Sequence, residues 1–263
     1  MTCRAAVLCL LAILCTAPAL AATPFTEGYK AYKAGKKKKA LAIWLKEAND
    51  GHADAQWVVG NMFVSGDGMR EADPQTAAFY YTESAKQGHV EAQVSLATLY
   101  RTGQGVEQDF AEAVKWLYKA AEAGHPVAQS DLGDIFYNGE NGEIARNRAH
   151  AFEWYRLAAR SGVALAQFRL AQMYLQRIGT DRNRRLGIIW LTVARAQAEA
   201  EPTAELYWSK RVMPLDKVAQ TDSELRTLRR IIVQYYEEQS ADYTLKELQD
   251  AAKEAADWDP AKY

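Results

Sequence analysis

Apolar positions recur along this chain with a fixed arithmetic. Counting from Ala55, Ala92, Ala128 and Ala166, the residue four places on is Val59, Leu96, Leu132 or Leu170. Seven places on stand Met62, Leu99, Ile135 and Met173, and eight places on the aromatics Phe63, Tyr100, Phe136 and Tyr174. These offsets share one face of a helix with 3.6 residues per turn, so each stretch is predicted to be an amphipathic α-helix. The fifth place is always small: Gly60, Ala97, Gly133 and Ala171. Glycine inside a helix costs about 1 kcal/mol relative to alanine. Its presence there predicts that a neighbouring helix comes too close for a side chain.

Each predicted helix is preceded by Gly-His-x-x-Ala-Gln, beginning at Gly51, Gly88 and Gly124, with a degenerate copy at Gly162. The copies are 37, 36 and 38 residues apart. A period of that size marks a helical repeat array. A glycine turn follows each first helix: Gly66-Asp67-Gly68, Gly103-Gln104-Gly105 and Gly139-Glu140-Asn141-Gly142. The fourth turn keeps only Gly179 and carries Arg177 at the first glycine position. These glycines follow amphipathic helices and not strands, which argues against a dinucleotide phosphate loop. A second helix comes next, with Ala77, Ala113 and Ala151, then Tyr80-Tyr81, Trp116-Leu117 and Trp154-Tyr155. It ends on Ser84-Ala85, Ala120-Ala121 and Ala158-Ala159, and the glycine of the next copy terminates it. Trp190 with Ala194 continues the theme in the fourth copy.

The pattern divides the chain. Residues 51–201 hold four repeats, the last degenerate. Residues 22–50 read as a shortened helical unit in which Gly35 turns between a helix bearing Tyr29 and Tyr32 and another bearing Ala40, Trp44 and Ala48. Residues 202–263 read as a helical C-terminal cap, with helices near Leu206–Val212, Leu225–Glu238 and Leu245–Trp258. Thr244 and Glu247 form a predicted capping box, and Leu245, Leu248, Ala252 and Ala255 a predicted apolar stripe. A solenoid needs such an element to cover its last apolar face.

These residues resemble Sel1-like repeats, a subfamily related to the tetratricopeptide repeats. The resemblance runs from about Tyr29 to Ala200. It implies an all-α fold, a right-handed superhelical solenoid with a concave face. It also implies a role as adaptor in assemblies, often in the bacterial periplasm or in envelope signalling. Exported members of this group include regulators that restrain a membrane sensor kinase, and scaffolds for polysaccharide export and flagellar motors. A cysteine-rich branch is described as binding or slowly hydrolysing β-lactams, and this chain departs from that branch.

The departure follows from the first residues. Arg4, the apolar run Ala5–Leu14 and Ala19-Leu20-Ala21 have the order of a secretory signal, residues 1–21, with cleavage near Ala22. Cys3, Cys9 and Cys15 all lie inside it. The expected mature protein therefore has no disulfide and no thiol chemistry, although its compartment, periplasmic or secreted, would permit disulfides. With 32 Lys and Arg against 33 Asp and Glu, the formal net charge is −1, which gives no general attraction to nucleic acid.

The search for chemistry finds little. His52, His89 and His125 recur once per unit, whereas a metal site needs ligands that converge. They read as helix-start residues, and His150 as a solvated residue. No nucleophile elbow or zinc-protease motif is present. No cofactor, no metal and no catalytic residue is expected. Two basic clusters stand out. Lys36 to Lys39 reads as a solvated turn and helix start, with an anionic envelope polymer or lipid as the alternative ligand. Arg177, Arg182, Arg184 and Arg185 gather about the degenerate fourth turn and are the candidate partner-binding residues, suited to bidentate capture of carboxylates. From Glu237 onward eight acids face three bases, so the chain is basic early and acidic late. The expected function is a non-catalytic protein–protein adaptor or regulator of an envelope assembly, partnered by proteins. The rival expectations are an enzyme acting on cell wall or β-lactams, and a secreted effector.

Overall fold

The computed structural model describes residues 24–139, 142–200 and 218–257, with side chains from residue 229 onward in the last segment. The expected signal sequence, the helix expected at Leu206–Val212 and the middle of the third glycine turn lie outside the described residues. Twelve α-helices and no strand occur among those described. They are α1 (Pro24–Lys33), α2 (Lys37–Asn49), α3 (Ala53–Ser65), α4 (Pro74–Lys86), α5 (Val90–Thr102) and α6 (Phe110–Glu122). Then come α7 (Pro126–Asn138), α8 (Arg148–Arg160), α9 (Ala164–Gln176), α10 (Arg184–Ala200), α11 (Val218–Ser240) and α12 (Leu245–Ala256). Each helix from α1 to α10 packs on the next, and α10 carries both α11 and α12. The odd-numbered helices α3, α5, α7 and α9 are the first helices of the four units. The pair α7 and α9 also touch, and no pair of second helices is as close among the described residues. The first helices of the third and fourth units therefore lie side by side.

The chain starts and stops these helices by simple means. His89 Nδ1 and His125 Nδ1 accept hydrogen bonds from the backbone N–H of Ala92 and Ala128, at 3.1 and 3.2 Å. They are N-caps in the second and third units, while His52 stands at the same position without a side-chain bond to its helix and Val163 takes the position in the fourth. Asp73, Asp109, Asn147 and Asn183 cap the second helices in the same way. The turn glycines take left-handed φ values, as at Gly66 and Gly103.

Burial follows the offset pattern. Ala55, Ala92, Ala128 and Ala166 are fully buried, as are Val59, Leu96, Leu132 and Leu170. The small residue at offset five has a visible cause. A Cβ on Gly60 would lie 2.5 Å from the Tyr81 ring, and one on Gly133 would lie 2.6 Å from the Tyr155 ring. In the units where offset five is Ala97 or Ala171, the residue equivalent to these tyrosines is Leu117 or Leu191. Glycine is thus paired with tyrosine and alanine with leucine, so the volume at each joint is conserved.

The glutamine of the repeated motif is structural as well. Gln56, Gln93, Gln129 and Gln167 are buried, and each Nε2 donates to a carbonyl at the end of the preceding second helix: Ala48, Ala85, Ala121 and Ala159. Helix C-termini leave carbonyls without intrahelical partners. The four glutamines satisfy one such carbonyl at every junction between units.

One of two sequence expectations at the C-terminal end is met and the other is not. The capping box of Thr244 and Glu247 forms. The expected stripe does not face inward as drawn. Leu245 is 73% exposed and Ala252 is exposed, while Ala251 is buried and Leu248 and Ala255 are partly buried. The helix is rotated so that Leu248, Ala251 and Ala255 meet the array. The rotation brings Glu254 onto Arg185.

The fourth turn departs in a different way. Arg177 adopts the left-handed conformation, φ 59° and ψ 46°, that glycine takes at Gly66 and Gly103. For an L-residue this costs about 1–2 kcal/mol. Its weak contact with Asp181, 3.9 Å between exposed groups, returns little. Arg177→Gly should therefore stabilise the fold by about 0.5–1 kcal/mol, seen as a raised chemical denaturation midpoint, part of the relief being lost to glycine's greater unfolded-state entropy. A lowered midpoint would show that the arginine side chain contributes more than its backbone strain costs.

Candidate protein-binding face

The motif residues are consumed by packing and capping, so binding must rest on side chains that differ from unit to unit. The four candidate arginines are placed differently from one another. Arg177 and Arg182 lie exposed in the fourth turn. Arg184 and Arg185 do not lie in that turn, because Asn183 caps α10 and places both in its first helical turn. Arg184 donates from Nη2 to the Asp242 carbonyl at 2.9 Å and lies over the Tyr243 ring at 4.8 Å. Tyr243 donates back to the Arg184 carbonyl at 3.0 Å. Arg185 is paired with Glu254. These two arginines hold the acidic C-terminal helices onto the array and already have carboxylate or carbonyl partners within the chain. The polarity read from the sequence, basic before acidic, is partly an internal contact.

The lysine run is divided too. Lys37 Nζ lies 2.5 Å from Asp67 Oδ1, and Tyr32 donates to Asp67 Oδ2 at 2.6 Å. Asp67 is buried and locks the N-terminal unit to the first glycine turn. Lys36, Lys38 and Lys39 stay exposed. His150, expected in solvent, is partly buried. Its ring centroid lies 4.4 Å from that of Phe136, and it also meets Trp154 and Tyr118. Its neighbours come from three different helices, so a reading of α8 alone could not place it.

The first-helix face carries charge that sequence reading did not single out. Offset six bears Asn61, Thr98, Asp134 and Gln172, all at least partly accessible. Tyr81 donates to Asn61 at 2.7 Å and Tyr155 to Asp134 at 2.6 Å, so the second-helix tyrosines reach through to this face. Arg169 on α9 approaches Asp134 to 3.8 Å and lies 5.9 Å from the Tyr137 ring centroid, and Arg148 lies 5.7 Å from the same centroid. Desolvation drives the hydroxyl pKa of both Tyr81 and Tyr155 well above the ordinary tyrosine value, so both remain protonated donors. Among the described residues no group of three His, Cys, Asp or Glu side chains is placed to hold a metal ion.

Asp131, one turn before Asp134 on α7, is the most perturbed acid of this face. Burial pushes its carboxyl pKa up to about 6, Arg101 on α5 opposes the shift, and Asp134 adds to it. The pKa is raised above that of the unfolded chain. The charged carboxylate therefore penalises the fold above about pH 6, and the penalty disappears as pH falls toward 4. Asp131→Asn should stabilise the protein at pH 7–8 by about 1–3 kcal/mol, and the difference from wild type should vanish near pH 4. Melting curves of both proteins across that range give the answer. A stabilisation that persists unchanged at pH 4 would assign it to packing.

The arrangement has known counterparts. Sel1 repeats match residues 53–89, 90–125, 126–163 and 164–198. An exopolysaccharide production negative regulator from Rhizobium meliloti (strain 1021) is 32% identical over 187 residues, covering 66% of this chain and 67% of that protein. The chitin synthase regulator SKT5 of Saccharomyces cerevisiae is 29% identical over 145 residues, which span 54% of this chain but only 20% of the yeast protein. A Sel1 repeat protein from Oxalobacter formigenes superposes with a TM-score of 0.61 at 28% identity, over 65% of this chain and 70% of that one. A protective antigen of uropathogenic Escherichia coli shares the fold at 22% identity and a TM-score of 0.62, over 89% and 53% of the two chains. Four matched units, the stacked helix pairs and these likenesses together establish that the chain belongs to the Sel1 repeat family.

Proposed function

We propose that this chain is an exported regulator that acts by holding a protein on its first-helix face, within an envelope assembly that governs polysaccharide production. The observation that carries the reading is the division of labour among its side chains. Positions shared by the units are spent on capping, junction hydrogen bonds and close packing. Positions that vary, among them Asn61, Thr98, Asp131, Asp134, Arg169 and Gln172, collect on the first helices. That is how a solenoid distributes stability and recognition. The naming of two relatives as regulators of polysaccharide synthesis supports the choice of process. The signal-like order of Arg4, Ala5–Leu14 and Ala19-Leu20-Ala21 supports the compartment.

The test has two readouts. Cell fractionation with mass spectrometry of the N-terminus should find the protein in the periplasm beginning within a residue or two of Ala22. Deletion of the gene should change the amount of extracellular polysaccharide, with restoration by the wild-type chain. An intact Met1 on envelope-associated protein would overturn the export reading. Unchanged polysaccharide would overturn the assigned process.

A further inference from the structure

The outer sides of the second helices can be compared position by position, and that of α2 differs in kind. Lys38, Lys39, Ala42, Lys46 and Asn49 fall within about 100° of the circumference of α2. All five are exposed, and the buried Ala40, Leu41, Trp44 and Ala48 lie on the opposite side. No acid stands in this arc; Glu47 lies outside it, partly buried and 3.7 Å from His52. The equivalent arc of α4 holds Gln75, Thr76, Phe79, Glu83 and Lys86, and Lys86 pairs with Glu83 at 2.8 Å. On α6 the arc holds Glu112, Lys115, Lys119 and Glu122; Lys115 pairs with Glu112, and Lys119 lies 3.8 Å from the Trp116 ring centroid. On α8 it holds Glu153, which pairs with Arg156. In the lysine run only Lys37 is paired, to Asp67. Among the described residues no acid comes within ion-pair distance of Lys38, Lys39 or Lys46.

A terminal unit of a solenoid needs a polar outer side, and mixed, paired charge serves that purpose in the other units. Charge of one sign without an internal partner repels itself, and an anionic surface relieves the repulsion. The residue types indicate which surface. Residues 24–50 hold seven lysines and no arginine. Arginine suits capture of a carboxylate in fixed geometry, whereas lysine is a hydrated point charge on a flexible stem and suits a diffuse sheet of charge. An exposed aromatic borders the arc. Phe79 is 61% exposed and meets Tyr80 edge-on, and Tyr80 donates to Asn49 of the arc at 3.0 Å. Lysines beside an exposed phenylalanine match an anionic bilayer interface, with the cations at the phosphates and the ring among the head groups. We propose that the outer side of α2, bordered by Phe79, rests on an anionic lipid surface through Lys38, Lys39 and Lys46. The attachment is peripheral and held by charge, and it involves no recognition of a protein. It leaves the first-helix face open, so a membrane and a protein can be held at once, and the two readings stand or fall independently.

Co-sedimentation of the protein purified from cells tests this, with vesicles of phosphatidylcholine alone or with about one-third phosphatidylglycerol. Partition into the anionic vesicles should exceed that into neutral ones by about tenfold or more at about 50 mM salt, and should fall steeply toward about 500 mM. Each neutralised lysine should lower the partition about fivefold. Lys38→Gln with Lys39→Gln and Lys46→Gln should therefore bring it down to the neutral-vesicle level. Neutralising Lys86, Lys115 and Lys119 in the same way should leave most of it. Phe79→Ser should weaken partition at both salt concentrations, and an unchanged value would overturn the part given to the ring. Circular dichroism and melting of the α2 variant should match wild type, because its three altered side chains are exposed. Equal partition into the two kinds of vesicle overturns the proposal, as do equal losses from the two triple variants. Soluble alginate, a polyuronate, serves as the rival anion. If wild type binds alginate, the α2 variant does not, and the anionic vesicles take up neither protein, the lysines belong to a polysaccharide and the lipid surface is overturned.

Discussion

Gly133→Ala should destabilise the protein by about 2 kcal/mol, although alanine is the better helix former. The added Cβ would lie 2.6 Å from both Cδ1 and Cε1 of Tyr155. That ring has nowhere to go: it is fully buried, and its hydroxyl is tied to Asp134 at 2.6 Å. Overpacking of this kind costs about 1–3 kcal/mol or more. The helix-propensity gain of about 1 kcal/mol offsets part of it. The array itself suggests the rescue, since Ala97 with Leu117 occupies the same joint one unit earlier, with Thr98 in the place of Asp134. In the Gly133→Ala background, Tyr155→Leu together with Asp134→Thr should recover much of the loss. The double-mutant coupling between positions 133 and 155 should be about 1–3 kcal/mol. Additive losses would mean that the pairing of glycine with tyrosine and alanine with leucine is accidental.

Gly105→Ala should cost about 2–5 kcal/mol, and Gly124→Ala distinctly less. Both glycines have left-handed φ, 73° and 85°. For alanine that conformation alone costs about 1–2 kcal/mol. Only Gly105 also approaches another chain segment. A Cβ there would overlap the Pro74 carbonyl and come within 2.7 Å of the Gln75 nitrogen, in the first turn of α4. A Cβ on Gly124 meets nothing within 4 Å. Neither Pro74 nor Gln75 can yield without unwinding α4, whose N-cap bond from Thr76 to Asp73 is 3.0 Å. The second glycine of the turn is therefore a docking point between consecutive units. Because each unit rests on its neighbour, the loss at Gly105 should appear in hydrogen exchange on both sides of the joint. Equal losses at the two sites would reduce Gly105 to a conformational role.

What could be read from the sequence was whatever repeats within a helix. Offsets of four, seven and eight from Ala92 lie on one helix, and their burial follows from its geometry. The smallness of Gly60 and Gly133 announced a close neighbour, though not that the neighbour was tyrosine. What escaped reading depends on the register between helices. Gln93 looks like a surface residue until the carbonyl of Ala85 is placed beside it. His150 looks solvated until Phe136 and Tyr118 close over it. Arg184 and Arg185 look available until α11 and α12 fold back onto α10. Asp131 is an ordinary acid in the sequence. Its raised pKa emerges only when the fold buries it and α5 brings Arg101, and its own helix Asp134, into its surroundings.

The central claim is that recognition occupies the first-helix face and stability the rest. Site-specific photo-crosslinking in cells tests it face by face. A photoreactive residue is placed in turn at Asn61, Thr98 and Gln172 on the first helices, and at Phe79, Lys115 and Glu153 on the exposed side of the second helices. The account predicts that the first three sites yield a common adduct of one protein and that the second three do not. Adducts confined to the second-helix sites, or spread evenly over both faces, would contradict it.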